Sequence, residues 1–318
     1  MKQKALSICA GLMILLFLKG YPQQEDLPIL KGPYLGQKPP GMRPELFAAD
    51  IFNSKRYGWY HSVIVFSSDG NEAFWQAGRA DNKKEALLTS RNVHGRWVEP
   101  QVVPLIGEGG DCPHFSPDGR RLYFISHTRL LPGDSERKRK ENIWVCEKIS
   151  GGWSEPNPLP PIINSLDLHW QFSVDKKGNL YFGVWKVDPA TRRTLEHDIY
   201  LSRHEDDQYT TPEKLGPEIN DPACRQYSPY ISPDGDYLVF SRTTKTEPIT
   251  TTMNISFKNK AGAWSAPTNI NEIFEMPGSN AAVTPDGKYL FFLKAGLEIY
   301  WVDASFIEAL RMKVMEEN

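Results

Sequence analysis

The chain has 318 residues, 40% of them apolar and 24% charged, the composition of a packed globular protein with one large domain or two small ones. A formal net charge of −2 gives no sign of a nucleic-acid partner. Nine Trp, 13 Tyr and 15 Phe beside 25 Pro and 24 Gly favour strands and tight turns over long helices.

The first twenty residues stand apart. Lys2 and Lys4 precede an uncharged, mainly apolar run from Ala5 to Leu18. That run is short for a bilayer span and has the form of a secretory signal, with cleavage expected after Gly20. Cys9 is a poor lipidation site, because Ile8 precedes it and most of the apolar run follows it. The expected organisation is a signal peptide (1–20), a linker (21–40), a β-domain (41–304) and a helical tail (305–318). A periplasmic or secreted protein with no stable membrane span after cleavage follows from it. Cys112, Cys146 and Cys224 would remain, an odd number without CxxC spacing, so they read as thiols with no deducible pairing.

From residue 67 onward the chain repeats itself. Ser67-Ser68-Asp69-Gly70, Ser116-Pro117-Asp118-Gly119, Ser232-Pro233-Asp234-Gly235 and Thr284-Pro285-Asp286-Gly287 are versions of one tetrapeptide. A degenerate copy runs from Ser173 through Asp175 to Gly178. Proline presets φ, aspartate bonds nearby backbone, and glycine takes the left-handed position of a hairpin turn. These aspartates and glycines are therefore read as turn chemistry and not as catalytic groups. A second marker, WxxP, runs out of phase at Trp97, Trp153 and Trp264, with Tyr209 and Pro212 filling the gap. Apolar bursts such as Leu122-Tyr123-Phe124 and Leu180-Tyr181-Phe182 follow the glycines, and a third strand follows each, as at Asn142-Ile143-Trp144. Four short strands per repeat is the arithmetic of a propeller blade.

The tetrapeptide turn followed by an apolar strand resembles the TolB-like, WD-repeat-like β-propeller repeat, over roughly residues 42 to 303. The resemblance implies an all-β propeller and says little about function. Five four-stranded blades are counted, with six as the alternative, since six are common in that family. The last repeat lacks WxxP, and Arg43-Pro44-Glu45-Leu46-Phe47 is expected to supply its missing outer strand and close the ring.

On such a frame the long, variable loops face away from the tetrapeptide turns, and binding is expected on the loop face. Those loops carry Arg129, the run Arg137 to Lys140, Lys186, Arg192, Arg193, Arg242 and Lys245, which suit an acidic ligand or merely a solvated surface. Just upstream of each turn, the inner strand should bring His61, Asp111, His114, Asp167, His169, Gln226, Tyr227 and Asn280 to the channel mouth. Polar residues there could hold a sugar, or line a wet channel. No recognised ligand spacing occurs among them, so no metal or other cofactor is expected. GxSxG, HExxH, P-loop and GxGxxG motifs are absent. These features favour an exported, non-catalytic scaffold that holds a protein or glycan. The alternative is a carbohydrate-active enzyme, either a glycosidase or a metal-assisted lyase, with its site at the channel mouth.

Overall fold

A computed structural model describes residues 30–52, 57–79, 85–127, 141–295 and 298–316. The proposed signal segment and the cationic residues Arg129 and 137–140 lie outside the described residues. Among those that are described, no helix is long and apolar enough to cross a membrane.

Five antiparallel blade sheets follow one another in chain order, the first strand of each lining the centre, and a separate two-stranded hairpin joins His204–Glu205 to Gln208–Tyr209. Blade 2 shows the pattern: inner strand Gly110–Phe115, second strand Arg121–Ser126, third strand Asn142–Ile149 and a two-residue outer strand Asn157–Pro158. Blades 3 and 4 begin with the inner strands Leu168–Val174 and Cys224–Ile231. The five-bladed all-β propeller expected from the repeats is what the chain forms.

The ring closes with residues from both ends of the chain. Glu45–Leu46 pairs antiparallel with Glu298–Asp303, Glu45 opposite Trp301 and Leu46 opposite Tyr300, as the outer strand of blade 5. The Phe47 N–H donates to Ile299 O at 2.8 Å, and the Asp303 N–H to Gly41 O at 3.0 Å. Phe47 is fully buried between blades 5 and 1, edge-on to Phe291 at 4.9 Å, Trp301 at 5.0 Å and Phe66 at 6.0 Å. Residues 30–37, within the stretch expected as a linker, lie across the same junction. The Tyr34 hydroxyl donates to Asp286 Oδ2 at 2.9 Å, and Trp97 Nε1 to Gly32 O at 2.7 Å. The terminal helix Phe306–Glu316 is docked through Arg311, which donates to Asp236 Oδ2 at 2.6 Å and covers the Tyr237 and Phe257 rings.

Both sequence markers have a mechanical basis. In the turns, Ser67, Ser116 and Thr284 donate their hydroxyls to Asp69, Asp118 and Asp286, while Gly70, Gly119, Gly178, Gly235 and Gly287 all have positive φ. Blade 4 deviates: the Ser232 hydroxyl goes to Asp236, and Asp234 instead pairs with Lys176 of blade 3. In blade 3 the turn begins at Asp175, not Ser173. Its carboxylate takes the N–H groups of Lys177 and Asn179 at 2.9 and 3.0 Å. The WxxP aromatic precedes the outer strand and packs on the neighbouring blade. Trp153 of blade 2 touches Phe74 of blade 1 and donates to Glu72 Oε1 at 3.2 Å.

A third repeat went unread in the sequence. Ile163-Asn164, Ile219-Asn220 and Ile270-Asn271 each follow an outer strand, with the isoleucine fully buried. Each asparagine side chain bonds the backbone of its blade's third strand, at Ile143, Ile199 and Met253. Asn220 Oδ1 accepts from Ile199 N at 2.8 Å, and its Nδ2 donates to Ile199 O and Leu215 O, both at 2.9 Å. Outer strands of two residues cannot satisfy the third strand, and the amide supplies the missing bonds.

Because Phe47 anchors the closure, Phe47→Ala should lower unfolding free energy by about 3–5 kcal/mol in urea denaturation. A loss below about 1 kcal/mol would mean that the N-terminal strand is not what holds the ring shut.

Candidate active site

Four of the five inner strands carry a bulge with a non-glycine residue in the left-handed region: Cys112 (φ 48), Trp170 (φ 59), Ser228 (φ 52) and Asn280 (φ 54). Bulges re-aim the side chains on either side of them. Residues upstream face the loop-side mouth, and residues downstream line the turn-side half of the channel.

At the mouth, His61 Nδ1 lies 3.1 Å from Asp111 Oδ2. Asp111 is buried and also takes the Ser62 hydroxyl at 3.3 Å and the Cys112 N–H at 2.6 Å. Asn280 Nδ2 donates to His61 O at 2.7 Å, and Asn280 Oδ1 accepts the Ser228 hydroxyl at 3.1 Å. The hydrogen bond to Asp111 raises the His61 pKa above the ordinary histidine value against the opposing effect of burial, with further help from the charges of Asp111, Glu85 and Glu141. The His61 side chain is 41% exposed, so this proton is within reach of solvent.

A second histidine–carboxylate pair sits beside the first. His169 Nδ1 is 3.3 Å from Glu141 Oε1, and Trp170 N donates to Glu141 Oε2 at 2.6 Å. His169 is sandwiched between Trp170 (4.3 Å) and Trp185 (4.4 Å), which remain 37% and 38% exposed. Behind them His197 stacks on Tyr227 at 5.3 Å, and Trp170 meets Tyr227 edge-on at 5.0 Å. Burial first, and the charges of His169, Arg225 and Lys245 second, push His197 down to about 3, so its ring is neutral.

The remaining sequence candidates separate. His114, expected at the mouth, is turned inward by the bulge at Cys112. Its Nε2 accepts the Val174 N–H at 3.1 Å, and burial pushes its pKa down to about 4. Gln226 is fully buried, with Nε2 tied to Asp221 O at 2.9 Å. Asp167 is exposed ahead of its strand, where its carbonyl accepts from Trp185 N at 2.8 Å. Glu141, Trp170, Trp185 and His197 were not among the residues singled out from sequence. Among the described residues no three His, Cys, Asp or Glu side chains converge as a metal would require. Cys112, Cys146 and Cys224 are buried free thiols.

The opposite end of the channel holds a small apolar pocket, lined by His114, Val174, Tyr230 and the turn prolines Pro117, Pro233 and Pro285. At that end the lining is mainly apolar, not the polar lining expected of the channel.

No protein-family model matches the chain, and no curated protein does. Solved structures do. A protein of unknown function from Dyadobacter fermentans is 15% identical, with a TM-score of 0.48 and 83% of each chain covered. The endo-arabinase of Bacteroides thetaiotaomicron is 15% identical at TM-score 0.47, covering 76% of this chain and 92% of that one. The tricorn protease is 12% identical at TM-score 0.44, covering 75% of this chain and 24% of that much longer one. Such likeness concerns the fold alone, and nothing in it singles out TolB-like repeats. It does correct one expectation, that the chain is more a binder than a catalyst. An endo-arabinase and a protease are among the matches, and a fold does not decide between binding and catalysis.

His114 and His197 must take up protons when the chain unfolds in mild acid. Their folded pKa values lie below the ordinary 6.5, so the stability they contribute is full above pH 6.5 and is lost as pH falls towards 4. His114→Gln, which keeps an acceptor for Val174, should flatten the fall of Tm between pH 6.5 and 4. An unchanged slope would contradict the neutral, buried state assigned to His114.

Proposed function

We propose that this protein is an exported carbohydrate-active enzyme that hydrolyses a glycosidic bond at the loop-side mouth of the channel. The observation that carries the reading is the pair of histidine–carboxylate couples, His61–Asp111 and Glu141–His169, beside two half-exposed tryptophans. Sugar rings present apolar C–H faces that stack on exposed aromatic rings, and Trp170 and Trp185 offer such faces next to groups able to move protons.

His61 is the proton donor in this scheme. Asp111 is too buried to meet substrate and acts by orienting His61 and holding it protonated. The His61 proton passes to the leaving glycosidic oxygen as the bond to the anomeric carbon breaks. Glu141 accepts a proton from the water whose oxygen forms the new bond to that carbon, so charge and atoms balance. The hydrogen bonds from Trp170 N and His169 fix the Glu141 carboxylate in one orientation. The metal-assisted lyase variant is less well supported: of its candidate ligands, Gln226 is fully buried with its amide tied to Asp221 O, and His114 Nε2 is taken up by the Val174 N–H.

The test is release of reducing ends from a panel of plant and bacterial polysaccharides. His61→Ala and Glu141→Gln should each lower kcat by about 10²–10⁴-fold, while Trp185→Ala should act mainly on KM. Activity requires protonated His61 and should fall as pH rises through a value above 6.5. Asp111→Asn should move that limb to lower pH, because it removes the largest cause of the raised pKa. Hydrolysis indifferent to His61 and Glu141 would overturn the assignment.

A further inference from the structure

The junction between blades 3 and 4 borders this mouth, where Tyr227 meets Trp170 and His197, and its chemistry differs from that of the two proton-moving couples. Arg225 and Tyr227 lie two residues apart on the inner strand Cys224–Ile231, with Thr243 opposite Arg225 in register. A period of two places Arg225 and Tyr227 on the same face of blade 4. The Tyr227 hydroxyl is bonded to Thr243 Oγ1 at 2.9 Å, and Thr243 in turn to Thr251 at 2.8 Å, so the tyrosine ring is held rigidly. That ring meets His197 and Trp170 of blade 3.

Arg225 is the anomaly. The other half-buried arginines among the described residues all have an acidic partner: Arg203 with Glu213, Arg242 with Asp221 and Arg311 with Asp236. Arg225 has none among the described residues, and its Nε is covered and unbonded. His197 Nε2, also covered, lacks a partner as well. The positive charges of Arg225 and Lys245 both bear on His197. Lys245 is tethered through Nζ to Pro222 O at 2.8 Å. A half-buried guanidinium left without a counter-charge is costly unless a ligand supplies one.

We infer that this junction is a subsite for a uronic-acid residue, with the sugar ring on the Trp170/Trp185 platform and its carboxylate on the Arg225 guanidinium. The fork of the guanidinium matches a planar carboxylate through two parallel hydrogen bonds. One arginine with one nearby lysine suits a singly charged carboxylate. The inference rests on the glycan-processing reading and specifies its substrate class: an acidic oligosaccharide.

The experiment is calorimetric titration of the full chain with an oligogalacturonide and an oligoglucuronide, each compared with its methyl ester. Esterification removes the charge and keeps the ring. At low salt, at least one acidic form should bind about tenfold more tightly than its ester, the expected size of one charge-assisted contact. Arg225→Ala should erase that difference while leaving Tm unchanged, since it breaks no internal pair. Arg225→Gln serves if the alanine variant fails to fold. Glu141→Gln should keep the preference for acid over ester. Equal binding of both acids and their esters, or a preference that survives loss of Arg225, would overturn the inference. Acid-selective binding without turnover in the wild type would instead sink the hydrolase reading and leave the uronate subsite standing.

Discussion

Each inner strand of this ring ends its sheet with an unpaired edge, and the whole assembly depends on how those five edges are satisfied. An exposed strand edge invites pairing with other chains, and a buried unpaired N–H costs about 1–3 kcal/mol. Here the edges are bonded blade to blade. Ser228 of blade 4 donates to Asn280 of blade 5, Asn280 to the carbonyl of His61 in blade 1, and His61 pairs with Asp111 of blade 2. Val174 of blade 3 donates to His114 of blade 2, and Ile231 of blade 4 donates to Ser173 of blade 3 at 2.8 Å. All five junctions are crossed. The same side chains thus cross the blade junctions and furnish the polar chemistry of the channel.

The bulges give this belt its polarity. A regular strand would alternate its side chains between the two neighbouring blades along its whole length. The left-handed residues at Cys112, Trp170, Ser228 and Asn280 break that alternation at one level. Above it, His61 and the Trp170 platform open to solvent, with Asp111 buried behind His61. Below it, His114 and the turn prolines enclose an apolar pocket. Backbone strain held in place by the surrounding sheets is a usual companion of functional sites.

Much of the frame was legible in the sequence because it is written in local rules. Turns that need a positive-φ glycine announce themselves, and the repeat spacing counted five blades. The closing strand was legible by elimination, since one blade lacked its WxxP. What escaped depends on relations that no linear pattern carries. His114 lies three residues from Asp111, yet the bulge between them sends the two side chains to different ends of the channel. Glu141 stands at the end of a long loop, and only the fold brings it to His169 in the next blade. His197 looked like an ordinary third-strand residue until Tyr227 of blade 4 was seen to stack on it. The Ile-Asn repeat at 163, 219 and 270 was available to the eye, but its aligned spacing is masked by loops of unequal length.

Glycan contact at the loop-side mouth is the claim on which the functional account stands, and tryptophan indole N–H resonances test it most directly. The nine tryptophans are distributed over the mouth, the core and the blade seams. Titrating the labelled protein with an acidic oligosaccharide should shift the indole signals of Trp170 and Trp185, leaving buried Trp75 and Trp301 and the seam residues Trp97, Trp153 and Trp264 in place. Shifts confined to the seam tryptophans, or no shift at any indole, would contradict the account.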